Sequence, residues 1–265
     1  MTRSVPEQAI RQVADLILKS RRLVIFTGAG ISTESGIPDF RGPDGLWTKY
    51  DPDDFTIDRF LASAECRRKQ WQVFGRGALG AEAEPNAAHR AITELYRRGK
   101  LDCVITQNID NLHQKAGLPD DIVYELHGNM RRAVCLGCGK SFSFDQVAVR
   151  LQAGEDIPDC PECHGILKPD VVMFGEQLPE KALYEASRRS ADADVFIVIG
   201  STLTVYPAAY MPEYAVRSGA KLVIINLSET PMDRKAEVYI PARAGETMEA
   251  ILTALNGTPP SAGIE

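Results

Sequence analysis

The sequence predicts an α/β fold: an open, mostly parallel, doubly wound sheet with a second, smaller domain inserted into it. Three observations lead there. Apolar, β-branched-rich runs recur along the chain ("RRLVIFT", "KLDCVIT", "DIVYEL", "DVVMFG", "ADVFIVIG", "KLVIINLS"), and near-continuous apolar strands belong to a sheet covered on both faces. Helical stretches separate these runs, and strand–helix–strand alternation builds a parallel sheet. Two segments, 36–84 and 131–169, break the rhythm and read as insertions.

Each element has its own signal. The N-terminal "MTRSVPEQAIRQVADLILKS" carries Ile10, Val13, Leu16 and Ile17 at helical spacing, which predicts an amphipathic first helix. The first strand runs into "GAGIS", Gly28 to Ser32. A plain tight turn fits this stretch, and so does a phosphate cradle at a helix N-terminus, because glycine lets anionic oxygens reach the amides. Ser32 replaces the third glycine of the dinucleotide fingerprint, and no acidic residue is identifiable at the end of the next strand. "SGIPDFRGPDGLWTKYDPDD" sets Arg41 and aromatics among Gly and Pro; a lid over a charged cofactor and a solvated loop are both open. "PNAAHRAITELYRRG" and "PEKALYEASRRS" are helices that begin at Pro85 and Pro179, and "YPAAYMPEYAVRSG" is expected to kink or split at Pro212. "NGTPPSAGIE" reads as a frayed tail.

With 265 residues, 44% of them hydrophobic and 25% charged, the chain can hold one large domain carrying a smaller insert. A formal net charge of -6 argues against a general nucleic-acid binder. No apolar run approaches the roughly 18 residues that span a membrane. Charges interrupt the N-terminal stretch and no small-residue cleavage site follows it, so it is not a signal peptide. A cytoplasmic monomer is expected, with neither nucleic acid nor membrane as partner.

Polar residues gather where apolar strands end. Gln107, Asn108, Asp110, Asn111 and His113 follow "LDCVI", Gly200 opens "GSTLTVYPAA", and Asn226 closes "VIIN". Ligands of such sheets bind outside the carboxyl ends of the strands, so the ends at Gly28, Gln107, Gly200 and Asn226 should converge on one crevice. His127, in "VYELHGNM", also follows a strand; an imidazole there suits general-base work or caps a turn. His89 lies on a helix and is assigned to packing or to the structure of the helix N-terminus, while His113 is open to either role. Cys135/Cys138 and Cys160/Cys163 form two C-x-x-C pairs with 21 residues between them. That pattern matches a four-thiolate zinc site, closed and therefore structural. His164 is read as a neighbour of that site and not a ligand, and Cys66 and Cys103 as buried small hydrophobes.

In chain order, "GAGIS", "GIPDFRG", "TQNID", "LHG", the paired C-x-x-C, "VVMFGE", "GSTLTVYPA" and "INLS" resemble the sirtuin family over residues 20–255. These are NAD-dependent protein-lysine deacylases, here of the bacterial or archaeal type. The resemblance implies a Rossmann-type doubly wound parallel sheet built from residues 1–35, 85–130 and 170–265. The smaller domain would combine a helical module with the cofactor-binding loop (36–84) and a zinc-ribbon module (131–169). NAD would be consumed as co-substrate, and one structural zinc ion would be held by Cys135, Cys138, Cys160 and Cys163. Gly28, Ala29, Gly30, Ser32, Thr33, Asp39, Phe40 and Arg41 would line the cofactor pocket. Gly200, Ser201, Thr202 and Asn226 would take the adenosine side, with Ala244 a late adenine contact. Gln107, Asn108, Ile109 and Asp110 would surround the nicotinamide and its ribose.

The resemblance makes His127 and Asn108 the catalytic residues. Val171, Val172, Met173, Phe174, Gly175 and Glu176 would take an extended acyl-lysine peptide as an added strand. In the implied chemistry nicotinamide leaves and the acyl oxygen attacks C1′ of the ribose. His127 then takes a proton from a ribose hydroxyl, which attacks the imidate, giving free lysine and O-acyl-ADP-ribose. Relatives that prefer succinyl or malonyl lysine carry a Tyr and, three residues on, an Arg. The matching positions here are Phe74 and Gly77, with Arg76 displaced in register, so uncharged acyl groups are expected, acetyl first. Protein mono-ADP-ribosyl transfer is the alternative that the same site admits. An NAD-sensing zinc-ribbon module would have no need of His127 with the whole "QNID" set, and a dehydrogenase would form NADH.

Overall fold

A computed structural model describes residues 6–75 and 83–257. The strands are β1 (Leu23–Thr27), β2 (Leu101–Thr106), β3 (Val123–Glu125), β4 (Gly128–Cys135), β5 (Ser141–Ser143), β6 (Leu167–Val171), β7 (Val195–Ile199), β8 (Lys221–Ile225) and β9 (Val238–Ile240). The helices are α1 (Glu7–Lys19), α2 (Ile57–Ala62), α3 (Ala64–Gly75), α4 (Ala87–Arg97), α5 (Leu112–Lys115), α6 (Phe144–Gln152), α7 (Glu180–Asp192), α8 (Tyr210–Arg217) and α9 (Ala244–Gly257).

Six strands form one parallel sheet in the order β3-β2-β1-β7-β8-β9. The chain winds outward from β1 in one direction and from β7 in the other, the Rossmann-type arrangement. The switch point therefore lies between β1 and β7, which pair in register from Leu23–Val195 to Thr27–Ile199. Side chains alternate across the sheet. Leu23 and Ile25 pack with Ile10 and Ile17 of α1, Ile92 of α4 and Ile251 of α9. Val24 and Phe26 point the other way, toward Ala186 of α7 and Met211 and Ala215 of α8. All four β1 side chains are fully buried, and each burial contributes about 1.5–3 kcal/mol.

Local chemistry sets the helix starts. The Asn86 side chain accepts from the Ala88 amide at 2.9 Å and donates to the Ile31 carbonyl at 2.7 Å. It caps α4 and ties that helix to the turn after β1. Pro212 does not kink or split α8: it is the third residue of the helix, in the first turn, where a missing N–H costs nothing. After Gly28 the backbone forms a 3-10 helix, Ala29–Ser35, and not an α-helix. Asn256 and Gly257, read from the sequence as the start of the tail, complete α9; the rest of that tail lies outside the described residues.

"DVVMFG" does not enter the parallel sheet. Its first two residues end β6, which joins a separate antiparallel sheet of order β5-β4-β6. β4 spans the distance between two features of interest, pairing Gly128 with Val171 at one end and Cys135 with Leu167 at the other. Trp71 of α3 is fully buried and shares a core with Ala133, Cys135, Val147, Cys160 and Leu167, which docks the α2–α3 pair on this sheet. Among the described residues no helix is long and apolar enough to cross a membrane.

Candidate active site

At the switch point two glycine turns press together. The Gly28 amide donates to the Ile199 carbonyl at 3.1 Å, and the Gly30 amide to the Gly200 carbonyl at 2.9 Å. A Cβ on Gly30 would sit 2.7 Å from the Gly200 Cα, and one on Gly200 would sit 2.2 Å from the Ile31 nitrogen. Gly200 also has φ +64°, so only glycine serves there without strain. Beside these turns opens a cavity of about 680 Å³, within the range of small-molecule sites.

The four strand ends do converge on it. From the β1 exit come Gly28, Ala29, Gly30, Ser32 and Thr33; from the following loop Asp39, Phe40 and Arg41; from the β2 exit Gln107, Asn108, Ile109 and Asp110. His127 precedes β4, Val171 ends β6 and Val172 to Glu176 follow it, Gly200, Ser201 and Thr202 follow β7, and Asn226 and Ala244 complete the lining. Cys135, Cys138, Cys160 and Cys163 lie elsewhere, at the far end of β4 and in the turns beside the antiparallel sheet.

The "TQNID" residues leave β2 bonded on every side. The Gln107 amide donates to the Thr27 carbonyl at 3.0 Å, and its side chain donates to Ser201 Oγ at 2.8 Å. The Asn108 side-chain amide donates to the Gly28 carbonyl at 3.1 Å and to Ser32 Oγ at 3.2 Å, and Ser32 Oγ donates to Asp110 at 2.7 Å. The other Asp110 oxygen accepts from the Leu112 amide at 3.0 Å and so anchors α5. This mesh ties the exits of β1, β2 and β7 into one unit.

His127 Nδ1 lies 3.0 Å from the Gln107 carbonyl. A carbonyl oxygen only accepts, so Nδ1 carries the hydrogen and Nε2 is left as the free basic nitrogen. Burial lowers the pKa of this ring below 6.5, against an opposing pull from the Gln107 carbonyl, so the ring is neutral at pH 7. Gly128 must follow: its φ is +72° and a Cβ would lie 2.0 Å from the Asp170 carbonyl oxygen. His113, open between two roles in sequence, turns away from the cavity; its Nε2 bonds Thr27 Oγ1 at 2.9 Å. His89 is fully buried beneath it, with ring centroids 5.0 Å apart.

Some lining residues escape sequence reading. Trp47 contacts Phe40, Phe55 and Phe174 at centroid distances of 5.2, 5.4 and 6.0 Å, and Phe55 in turn meets Phe74 of α3 at 6.5 Å, so one aromatic cluster joins the loop, the helical pair and the segment after β6. The aromatic density of "GLWTKYDPDDF" is the available signal. Glu34 accepts from the Gly245 amide at the start of α9 at 3.0 Å, which nothing in the sequence announces. Arg41 is exposed at the rim and has no ion-pair partner among the described residues.

The four sulfurs of Cys135, Cys138, Cys160 and Cys163 lie within 4.8 Å of one another. The Cys135–Cys163 and Cys138–Cys160 separations are 3.4 and 3.8 Å, too long for disulfides, whose S–S length is about 2.05 Å. A tetrahedron of zinc–sulfur bonds has edges of about 3.8 Å, so the donor set fits a metal ion. The Cys138 and Gly137 amides donate to the Cys135 sulfur and lower its pKa. His164 pairs instead with Asp159 at 3.3 Å.

Comparison with known proteins decides the family, since the Sir2 family model matches residues 28–207, from the glycine turn past the β7 exit. The chain belongs to the Sir2 family. This Sir2 chain is 46% identical over 247 residues to NAD-dependent protein deacetylase 1 of Pyrobaculum aerophilum, covering 93% of this chain and 94% of that protein. It superposes on a Sir2 with p53 peptide and NAD+ at a TM-score of 0.85 and 40% identity, covering 94% and 99% of the two chains. It also superposes on Sir2Tm bound to a propionylated peptide at a TM-score of 0.83 and 40% identity, covering 92% and 97%. Of the positions from which uncharged acyl groups are expected, Phe74 is buried at the cavity wall, and Arg76 and Gly77 lie outside the described residues.

Proposed function

We propose that the protein removes acetyl, or another uncharged acyl group, from protein lysine while consuming NAD, releasing nicotinamide and O-acyl-ADP-ribose. The observation that carries this reading is His127, a neutral imidazole at the cavity whose Nε2 is freed by the Nδ1 bond to Gln107. The NAD-dependent deacetylase relative and the neighbours holding NAD+ and propionylated peptide support the same chemistry.

The residues present suit NAD. The Gly28–Gly30–Gly200 contact leaves a backbone cradle that a Cβ would fill, and Arg41 offers a free cation at its rim for phosphate. Once its nicotinamide departs, NAD supplies an electrophilic ribose carbon. Gln107, Asn108 and Asp110 are bonded to fixed backbone and to Ser32 and Ser201, so they present set groups to the nicotinamide and ribose. His127 Nε2 takes the proton of a ribose hydroxyl, and the resulting imidazolium is steadied by the Gln107 carbonyl. Residues 171–176 receive the peptide beside the cavity, and Phe74 offers a carboxylate no partner. The four thiolates hold one zinc ion with no open position, so that ion is structural. Six cysteines free of disulfides suit a reducing compartment such as the cytoplasm.

The test is stoichiometry. Nicotinamide released should equal acetyl-peptide converted to free lysine, one for one. Peptide that gains ADP-ribose mass instead would move the assignment to ADP-ribosyl transfer.

A further inference from the structure

Lys168 is a buried ammonium that the chemistry above does not use. It lies in β6 opposite Val134 of β4 and is 7% exposed. Its Nζ donates to the Val171 carbonyl at 2.6 Å, to the Pro169 carbonyl at 3.3 Å and to Glu176 Oε2 at 3.0 Å. Those are three acceptors for the three hydrogens an ammonium carries. Glu176 Oε2 also accepts from the Met173 amide at 2.7 Å, and the Glu176 amide donates to the Met173 carbonyl at 3.0 Å. The two side chains thus join the two ends of segment 171–176 around Gly175, whose φ is +89°.

The rest of the segment is held by backbone. The Val172 amide donates to the His127 carbonyl at 2.9 Å, the Phe174 amide to the Phe55 carbonyl at 3.0 Å, and the Ile57 amide to the Phe174 carbonyl at 3.0 Å. The Val172 carbonyl and the Gly175 amide have no partner among the described residues. Unclaimed backbone groups are what an added strand uses. A buried ion pair is a weak source of net stability but a strong constraint on geometry, and this one constrains the segment that borders the cavity.

We propose that Lys168 and Glu176 are a positioning pair that sets peptide affinity by holding 171–176 in the shape on which the acyl-lysine peptide docks. This rests on the reading of 171–176 as the peptide segment. Without the ammonium, the Val171 carbonyl loses its partner and Glu176, which is partly exposed, turns to water. The segment then loosens while the NAD-facing mesh around Gln107 and Asn108 stays intact.

The experiment is steady-state kinetics of zinc-loaded Lys168→Met with acetyl-lysine peptide and NAD varied separately, together with metal content and thermal midpoint. KM for the peptide should rise about tenfold, with KM for NAD and kcat within about twofold. Lys168→Arg, which keeps a cation in reach of the same acceptors, should recover most of the loss. Should Lys168→Met fail to fold, Lys168→Gln, which keeps a neutral donor toward the same acceptors, is read in the same way, with a rise of about threefold. Hydrogen exchange of the wild-type chain with and without peptide tests the underlying reading separately. Protection at 172–175 with unchanged peptide KM in the variants would overturn the positioning role alone. Equal losses in peptide KM, NAD KM and kcat would reduce the pair to general structure. No protection of 172–175 would remove the peptide reading and the positioning role with it.

Discussion

Substituting His89 by Phe should flatten the acid side of the stability curve. His89 and His113 are buried, at 0% and 1% exposure, and neither His89 nitrogen nor His113 Nδ1 has a partner among the described residues. Burial, helped by the neighbouring His113, lowers the His89 pKa to about 3, and burial lowers that of His113 to about 4. Both native values lie below the unfolded value near 6.5, so the unfolded chain binds more protons and stability falls as pH drops through 6.5. At pH 5 both native rings are still neutral, and each unfolded ring has gained about RT ln(1 + 10^1.5), or about 2 kcal/mol. Between pH 7.5 and pH 5 the pair therefore removes about 4 kcal/mol. In His89→Phe an apolar ring replaces one with two unpartnered nitrogens, so stability at pH 7.5 holds or rises and the acid loss shrinks by about 2 kcal/mol. Urea unfolding of both proteins at the two pH values measures it, and contributions common to both proteins cancel in the double difference. An unchanged pH dependence would refute a neutral, buried His89.

Three further outcomes follow from the site. Gly200→Ala forces a Cβ to within 2.2 Å of the Ile31 nitrogen at φ +64°, so kcat/KM for NAD should drop more than about tenfold with a lower thermal midpoint; unaltered NAD kinetics would contradict the turn contact. Stripping metal from the four thiolates frees the far ends of β4 and β6, whose near ends carry Gly128 and Val171. Activity and thermal midpoint should fall together and return with zinc, and full activity without metal would contradict a structural ion. Because burial lowers the His127 pKa, the ring proposed as base stays neutral at pH 6.5, and the deacylation rate should fall only as pH drops through that lowered value. An acid limb centred above 6.5 would contradict the environment described for the ring.

Much of the fold is legible because the strands nearest the switch point are apolar but for Thr27: β1 and β7 are buried along their whole length, which only a sheet covered on both faces allows. The site is legible for a related reason. Gln107, Asn108 and Asp110 follow the largely buried β2 directly, and polar groups there have the crevice to enter. What misleads is information held elsewhere in the chain. The valines of "DVVMFG" suit a strand, but propensity does not name the partner, and the ladder to β4 takes Val171 to the other sheet. The effect of Pro212 depends on where α8 begins, and the helix starts at Tyr210, two residues before the proline. The 3-10 form of Ala29–Ser35 sits beside a glycine turn 170 residues further on. Lys168 is the least legible, because a lysine beside a proline reads as surface until the fold supplies its three acceptors.

Peptide mass after incubation with NAD and an acetyl-lysine peptide, with His127→Ala alongside, tests the deacylase assignment most directly. Loss of one acetyl group that requires NAD and is absent in His127→Ala is the expected result. Loss without NAD, or undiminished loss in His127→Ala, would contradict it.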